Sequence, residues 1–209
     1  MKKCRICIAV IMVALFAAIA FCESKIEDPY KIKSTYIISF IKYLEWERKD
    51  VLPDDRSPII IGIYSKKNED SDQYLFLFKQ YAALINENAA IQKKLTKNHP
   101  LEIKRFVSLE EVTAPCHILF LPSLKTPPEQ DKTTGDVLNE LKKKLDGYPT
   151  LLVGDAEGFA ETMGGHIHFV LVKGRIEFIV NLEALKQSGI QVRYSLIENA
   201  YNPNKEKKE

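Results

Sequence analysis

The chain has 209 residues, of which 45% are apolar and 28% are charged, and it contains 9 glycines and 10 prolines. This length suits one hydrophobic core, and the composition excludes intrinsically disordered and collagen-like chains. Lysine and arginine number 30 and aspartate and glutamate 28, a formal charge of +2, which is too close to neutral to favour a nucleic acid partner.

Residues 1–22 have the pattern of a secretory signal peptide. Three basic residues precede an uncharged, mostly apolar run from residue 6 to residue 22, and small residues near its end suit a signal peptidase. We expect cleavage to leave a mature chain that starts between Phe21 and Glu23. Two alternatives remain open. One is a retained membrane anchor, and the other is a lipid-anchored Cys22, against which the bulky Phe21 argues.

Loss of the signal peptide changes the charge and the cysteine content. It removes three basic residues and no acidic ones, so the mature charge is 27 minus 28, or −1. Cys4 and Cys7 leave with the signal, and Cys22 is lost or stands at the new terminus. Cys116 then has no partner, so the mature domain is not a disulfide scaffold. The apolar residues that follow Cys116 predict a buried, unreactive free thiol.

The mature chain alternates between helical and strand patterns. A first amphipathic helix is predicted because apolar residues recur at helical spacing at Tyr36, Ile37, Phe40, Ile41 and Leu44. Short apolar runs then predict buried strands. In order, we predict a strand at 59–64, a helix at 74–85, a strand at 101–107, a helical turn at 108–112, a strand at 116–121, a helix at 137–145, a strand at 150–153, strands at 167–172 and 175–180, and a helix at 182–187.

This alternation predicts a single α/β layered domain over residues 30–200. Its mixed, mostly parallel sheet has helices on both faces, and an antiparallel hairpin closes one edge. Lys173-Gly174 is the expected hairpin turn. Residues 201–209 form a polar tail that we expect to be mobile.

The loop after Val153 is the first place to look for chemistry, because α/β sheets bind ligands at the carboxyl ends of their strands. It reads Gly-Asp-Ala-Glu-Gly-Phe from residue 154 to residue 159. Asp155 could serve as an acid, a base or a ligand. The simpler interpretation is a turn in which Asp155 caps the following amides. No phosphate-binding glycine motif or serine nucleophile motif is present, so we expect no nucleotide cofactor.

Two histidines raise the question of a metal. His166 and His168 lie two residues apart on a predicted strand, so both rings should share one face. Zinc needs a third or fourth ligand, which Asp155, Glu161 or His117 would have to supply. The simpler interpretation is a pair of half-exposed histidines. We therefore predict no catalytic, cofactor-binding or metal site.

Two aromatic residues stand near the end of the first predicted helix. Trp46 is the sole tryptophan, and Tyr43 lies one helical turn before it. Large rings at a helix end either cover the core or anchor a partner. Both interpretations remain open.

Taken together, these segments resemble the YfiR-like family of exported proteins, DUF4154, over residues 30–198. The last block is the most specific, since its glycines, its aromatic residues and Asn181 keep their order over some 25 residues. The chain departs from the family pattern at Glu47, where proline is usual, and at His168, where asparagine is usual. The stretches that carry the resemblance are residues 36–46, 59–63, 116–121, 150–155 and 158–182.

The resemblance implies a periplasmic regulator and not an enzyme. Better-known members bind the periplasmic domain of a membrane diguanylate cyclase and hold it inactive, which controls cyclic di-GMP signalling. They are dimers, so the resemblance also implies a homodimer. Tyr43, Trp46, Asp155 and Phe159 are the candidate contact or ligand-loop residues. The alternative function is a periplasmic small-molecule binding module that uses the loop after Val153.

Overall fold

The computed structural model describes residues 28–45, 51–54, 56–66, 68–112, 116–122 and 132–203. The predicted signal peptide, Trp46 and residues 204–209 of the predicted tail lie outside the described residues.

The described elements follow the predicted order, with additions. They are α1 (Pro29–Phe40), a 3-10 helix (Ile41–Tyr43), β1 (Leu44–Glu45), β2 (Ile59–Tyr64), α2 (Glu69–Glu87), α3 (Ala89–Thr96), β3 (Leu101–Phe106), β4 (Ile118–Leu121), α4 (Thr134–Lys144), β5 (Leu151–Gly154), β6 (Ile167–Val172), β7 (Arg175–Val180), α5 (Leu182–Gln187), β8 (Gln191–Val192) and α6 (Tyr194–Glu198). None of the helices in this part of the chain is long and apolar enough to cross a membrane.

In the described part of the chain, the main sheet has six strands in the order β3-β2-β4-β5-β6-β7. The pairs β3–β2, β2–β4, β4–β5 and β5–β6 are parallel, and β7 pairs antiparallel with β6 at the edge. A second, two-stranded antiparallel sheet joins β1 to β8. The predicted fold class, a mostly parallel α/β sheet with an antiparallel hairpin at one edge, is confirmed.

Both faces of the main sheet are covered. Because successive strand residues point to opposite faces, Ile61 and Phe120 pack in a cluster with α1 and α2. Leu119 and Leu152 pack on the other side with α4. Every residue of β2, β4 and β5 is buried, which explains why these strands are continuous apolar runs in the sequence.

Side-chain caps fix where the helices begin. The Asp28 carboxylate accepts the Tyr30 N–H at 3.0 Å, and Pro29 stands at the first helical position of α1. A reciprocal capping box of Asn68 and Ser71 starts α2.

The predicted end of the first helix differs from the structure. The first helix ends at Phe40, and Leu44 belongs instead to β1, opposite Val192. The hairpin turn is as predicted, because Lys173 and Gly174 both have positive φ angles, 49° and 79°. That pair of conformations matches the twist of the flanking strands.

The connections from strand to helix leave a crevice at the carboxyl ends of the strands. The chain leaves β2 for α2 on one face, whereas it leaves β4 for α4 on the other face. Adjacent parallel strands that diverge in this way leave a crevice at their carboxyl ends, where open α/β sheets usually bind ligands.

Candidate functional site

A groove with a volume of about 730 Å³ lies between the 3-10 helix, α3 and the start of α6. Its floor is apolar, formed by Tyr43, Ile91 and Leu95. The described residues that line it also include four cationic side chains, and we call it the basic groove. They are Lys42, Lys94, Lys97 and Arg193.

Among the described residues, the positive charge of the basic groove is only partly neutralised. Arg193 pairs with Glu45 at 3.1 Å, and the Lys42 ammonium lies 4.6 Å from the centroid of the Tyr43 ring. Within the described residues, no carboxylate pairs with Lys94 or Lys97. Both lie at the carboxyl end of α3, where the helix dipole favours cations.

A second cavity, of about 270 Å³, opens at the carboxyl ends of β4 and β5. The first turns of α1 and α2 form its walls, so it occupies the crevice between the diverging connections. We call it the strand-end cavity. Its lining residues are Pro29, Tyr30, Lys33, Asp70, Tyr74, Pro122 and Asp155.

Asp155, the predicted ligand-loop residue, lies in this second cavity. Its carboxylate forms an ion pair with the Lys33 ammonium at 2.5 Å, and its side chain is only 9% exposed. The pair joins the first helix to the end of β5. Sequence spacing could not reveal this contact, because 122 positions separate the two residues.

Two phenols complete the polar lining of the strand-end cavity. The Tyr30 hydroxyl donates a hydrogen bond to Asp70, and this bond raises the pKa of Tyr30 to about 12. Burial raises the pKa of Tyr74 well above its ordinary value, and the charge of Asp155 adds to the effect. Both phenols therefore stay protonated at neutral pH.

Phe159 lies in the core and not on the loop surface. Its ring is fully buried and packs between two glycines. A Cβ on Gly154 would approach the ring to 2.5 Å, and a Cβ on Gly165 would overlap it. The ring thus occupies space that only glycine leaves free. Among the residues of this loop, Asp155 is the one that lines the cavity.

The histidines are buried and not half-exposed as expected. His166 is 1% exposed and His168 is 5% exposed. The His168 Nδ1 lies 2.7 Å from a Glu161 carboxylate oxygen, whereas His166 contacts Leu152 and Ser188. The described residues contain no cluster of three or more metal-ligating side chains.

His117 and His166 have the same unusual role in the sheet. The backbone N–H of His117 donates to the Ile60 carbonyl, and the Ile60 N–H donates back to the His117 Nδ1, both at 2.9 Å. His166 exchanges the same two bonds with Leu152, at 3.1 and 2.9 Å. Each ring replaces a backbone carbonyl just before a strand begins.

These contacts determine which ring nitrogen of His166 carries the proton. Because Nδ1 accepts a backbone N–H, the neutral ring carries its proton on Nε2. The Ser188 hydroxyl lies 2.8 Å from Nε2, so it accepts that proton's hydrogen bond. A general base would need a free lone pair toward the serine. This serine and histidine therefore do not form a nucleophile–base pair.

Cys116 is a fully buried free thiol, as predicted. Its sulfur would lie 3.0 Å from a Cβ placed on Gly62, and it donates a weak hydrogen bond to the Ile118 carbonyl at 3.4 Å. Burial raises the pKa of Cys116 to about 12. A protonated, inaccessible thiol is unreactive.

A family model described as YfiR/HmsC-like, DUF4154, matches residues 30–201, which include almost every described residue. The chain belongs to this family. YfiR/HmsC-like proteins are periplasmic regulators of cyclic di-GMP signalling, and the family is regulatory and not catalytic. No curated protein shows a significant match to the chain.

The structure explains why the last YfiR-like block keeps its order. Phe159 needs Gly165 beside its ring. Asn181 then holds the same loop, because its side chain donates to the Ala160 carbonyl at 2.6 Å and accepts the Ala184 N–H at 3.0 Å. The block therefore describes a packed loop and its anchor, and its glycines have a structural cause. At the departure from the pattern, His168 instead contacts Glu161.

Proposed function

We propose that this protein is an exported periplasmic repressor, which holds a membrane diguanylate cyclase inactive by contact with its periplasmic domain. Membership of the YfiR/HmsC-like family supports the regulatory part of the proposal. The basic groove supports contact with a protein, and it is the observation on which the choice of surface depends.

The chemistry of the basic groove suits a protein segment. An apolar floor, as formed by Ile91 and Leu95, excludes water and gives affinity. A cationic rim attracts acidic partners and speeds their association. The cyclase segment that binds here should therefore be acidic and amphipathic. Tyr43, half-buried at the floor, supplies the aromatic contact that protein interfaces favour.

The experiment reverses charge at the rim. Each membrane diguanylate cyclase of the source organism is expressed with the wild-type chain or with the double variant Lys94→Glu/Lys97→Glu, and cellular cyclic di-GMP is measured. We expect one cyclase to be repressed by the wild-type chain. The double variant should bind the periplasmic domain of that cyclase at least about tenfold more weakly than the wild type does, because charges at the rim of an interface control association.

The matched control is Lys143→Glu/Lys144→Glu. These lysines are exposed in the last turn of α4, on the other face of the sheet, so the same charge change is made at the end of a different helix. This variant should repress like the wild type. Two failures are distinguishable: full activity of every cyclase with and without the chain contradicts repression, whereas normal repression by the groove variant contradicts only the choice of surface.

The proposal includes a homodimer, as implied by the family. Light scattering after size exclusion would measure the mass of the mature chain, and a monomer at micromolar concentration would contradict it.

A further inference from the structure

A third cavity, of about 480 Å³, lies at the opposite end of the main sheet from the strand-end cavity. It opens where β5 and β6 begin and where α4 and α5 end, and its described lining residues fall between positions 142 and 189. We call it the amino-end cavity. Among the described residues, it has no lining residue in common with the basic groove or with the strand-end cavity.

A chain of hydrogen bonds orients the Ser188 hydroxyl, which lines the amino-end cavity. The Leu152 N–H donates to the His166 Nδ1 at 2.9 Å, so the neutral ring donates from Nε2 to the Ser188 oxygen at 2.8 Å. That oxygen already accepts a bond, and the hydroxyl proton has no acceptor in the part of the chain that the structure describes. A ring that is only 1% exposed thus holds Ser188 as a hydrogen-bond donor.

Lys142 brings a positive charge to the same cavity. Its side chain is half-buried and its ammonium packs against Gly164, where a Cβ would lie only 2.6 Å from the nitrogen. Burial lowers the pKa of His166 most, and the charge of Lys142 adds to the effect, so the ammonium lies close to the ring. Within the described ranges, no carboxylate pairs with Lys142. A partly desolvated cation without a counter-ion is stabilised by an anionic ligand.

Two features oppose an anion here, and both are weak. Asp146 also lines the cavity, but it is exposed, so water and salt screen its charge. The carboxyl ends of α4 and α5 favour cations. At α4 the chain supplies these cations itself, because Lys143 and Lys144 stand in the last turn beside Lys142. The half-buried ammonium therefore dominates the choice of ligand charge.

The volume and the apolar lining limit the ligand to a small one with an apolar body. A cavity of about 480 Å³ equals the liquid volume of roughly sixteen water molecules at about 30 Å³ each. Leu145, Pro149 and Ala184 are buried side chains of its lining. The space and chemistry together fit one carboxylate on a compact apolar or aromatic group.

We propose that the amino-end cavity is a binding site for a small organic monocarboxylate. The ligand carboxylate accepts hydrogen bonds from the Lys142 ammonium and the Ser188 hydroxyl, and its apolar body packs against Leu145 and Ala184. His166 is a positioning residue, because it sets the direction of the Ser188 hydroxyl without contacting the ligand. The proposal goes beyond the proposed repression, which depends on the basic groove.

The test compares three probes of nearly equal shape and different charge: benzoate, benzamide and benzylamine. Each is titrated into the purified mature protein at pH 7, and amide chemical shifts are followed by two-dimensional NMR. We expect benzoate to shift the amides of Leu145, His166 and Ser188 saturably. Benzamide should bind at least about tenfold more weakly, because hydrogen bonds to a charged group add affinity of that order, and benzylamine should cause no shift at these residues.

The variant Lys142→Met keeps most of the apolar stem and removes the charge, and Ser188→Ala removes the oriented hydroxyl. Each should weaken benzoate binding about tenfold. The matched control is Lys143→Met, because Lys143 is exposed in the same turn and does not line the cavity, so its benzoate affinity should equal that of the wild type. Equal binding of benzamide, unchanged affinity in Lys142→Met or Ser188→Ala, or no saturable shift with benzoate would each overturn the proposal. Since no cyclase takes part, the result is independent of the proposed repression.

Discussion

At the scale of single residues, two histidine rings accept hydrogen bonds that a backbone carbonyl would otherwise accept. His117 and His166 each occupy the last position before a strand, where they complete the hydrogen-bond ladder of the neighbouring strand. A protonated ring has no lone pair on Nδ1 and cannot accept the backbone N–H. Both rings must therefore be neutral for the sheet to keep these bonds.

This requirement predicts acid sensitivity. Burial lowers the pKa of His117 to about 4 and that of His166 to about 3, with smaller contributions from His99 and Lys142 respectively. In the unfolded chain both titrate near the ordinary value of about 6.5. Between these values the unfolded state binds more protons, so the free energy of unfolding falls as the pH falls. From pH 6.5 to pH 5 the two rings together should cost about 3 kcal/mol.

Urea unfolding of the mature protein at pH 6.5 and pH 5 measures this loss. The matched variant is His117→Asn/His166→Asn, which keeps an acceptor atom near the position of each Nδ1 but does not titrate. It should be less stable than the wild type at pH 6.5 and lose far less on acidification. A wild type with equal stability at both pH values would show that the rings titrate normally in the fold.

At the scale of elements, the loop between β5 and β6 is held by a close fit of one ring and two glycines. In Gly165→Ala, the new methyl group would overlap the Phe159 ring, so the ring must move within a packed core. Overpacking of this kind costs about 1–3 kcal/mol. Denaturant unfolding should show this loss.

Gly135→Ala is the control for that substitution. Gly135 lies in α4, and a Cβ there meets no atom closer than 3.7 Å. Because alanine favours a helix over glycine by about 1 kcal/mol, this variant should be at least as stable as the wild type. If Gly165→Ala were as stable as Gly135→Ala, the close fit around Phe159 would not limit the loop.

The elements also show what the sequence could and could not predict. Long periodic or continuously apolar segments, such as β2 and α2, were predictable because each carries its own pattern. The helix α3 was missed, since it follows α2 after the single residue Asn88 and has only two large apolar side chains. The strands β1 and β8 have two residues each, too few for any periodicity, so only tertiary pairing defines them.

The candidate site was predictable to the same limited extent. Asp155 stood out because it follows a buried strand. Its partner Lys33 did not, because the ion pair forms only when α1 packs at the sheet end. The basic groove could not be predicted either, since its cations come from three separate segments that only the fold brings together. Of the two aromatic candidates, Tyr43 lines that groove, and the role of Trp46 stays a prediction.

At the scale of the whole molecule, the basic groove and the strand-end cavity lie in different parts of the fold. Among the described residues, the two have no lining residue in common. The near-neutral mature charge of −1 follows from the expected loss of residues 1–22.

The expected loss of residues 1–22 is testable. The intact mass of the protein recovered from a periplasmic fraction should correspond to a chain that starts between Phe21 and Glu23, without added lipid. A mass that retains residues 1–20 would contradict cleavage. A mass increased by acyl chains, together with recovery in the membrane fraction, would establish Cys22 as a lipid anchor.

The buried thiol of Cys116 offers a way to compare the stability of the variants. The Cys116 sulfur lies beneath Gly62 in the cluster that α4 covers, so an alkylating reagent can reach it only when that face of the sheet opens. The rate of alkylation of Cys116 in native buffer therefore reports how readily the core opens. The same rate can be measured for each variant without an introduced label.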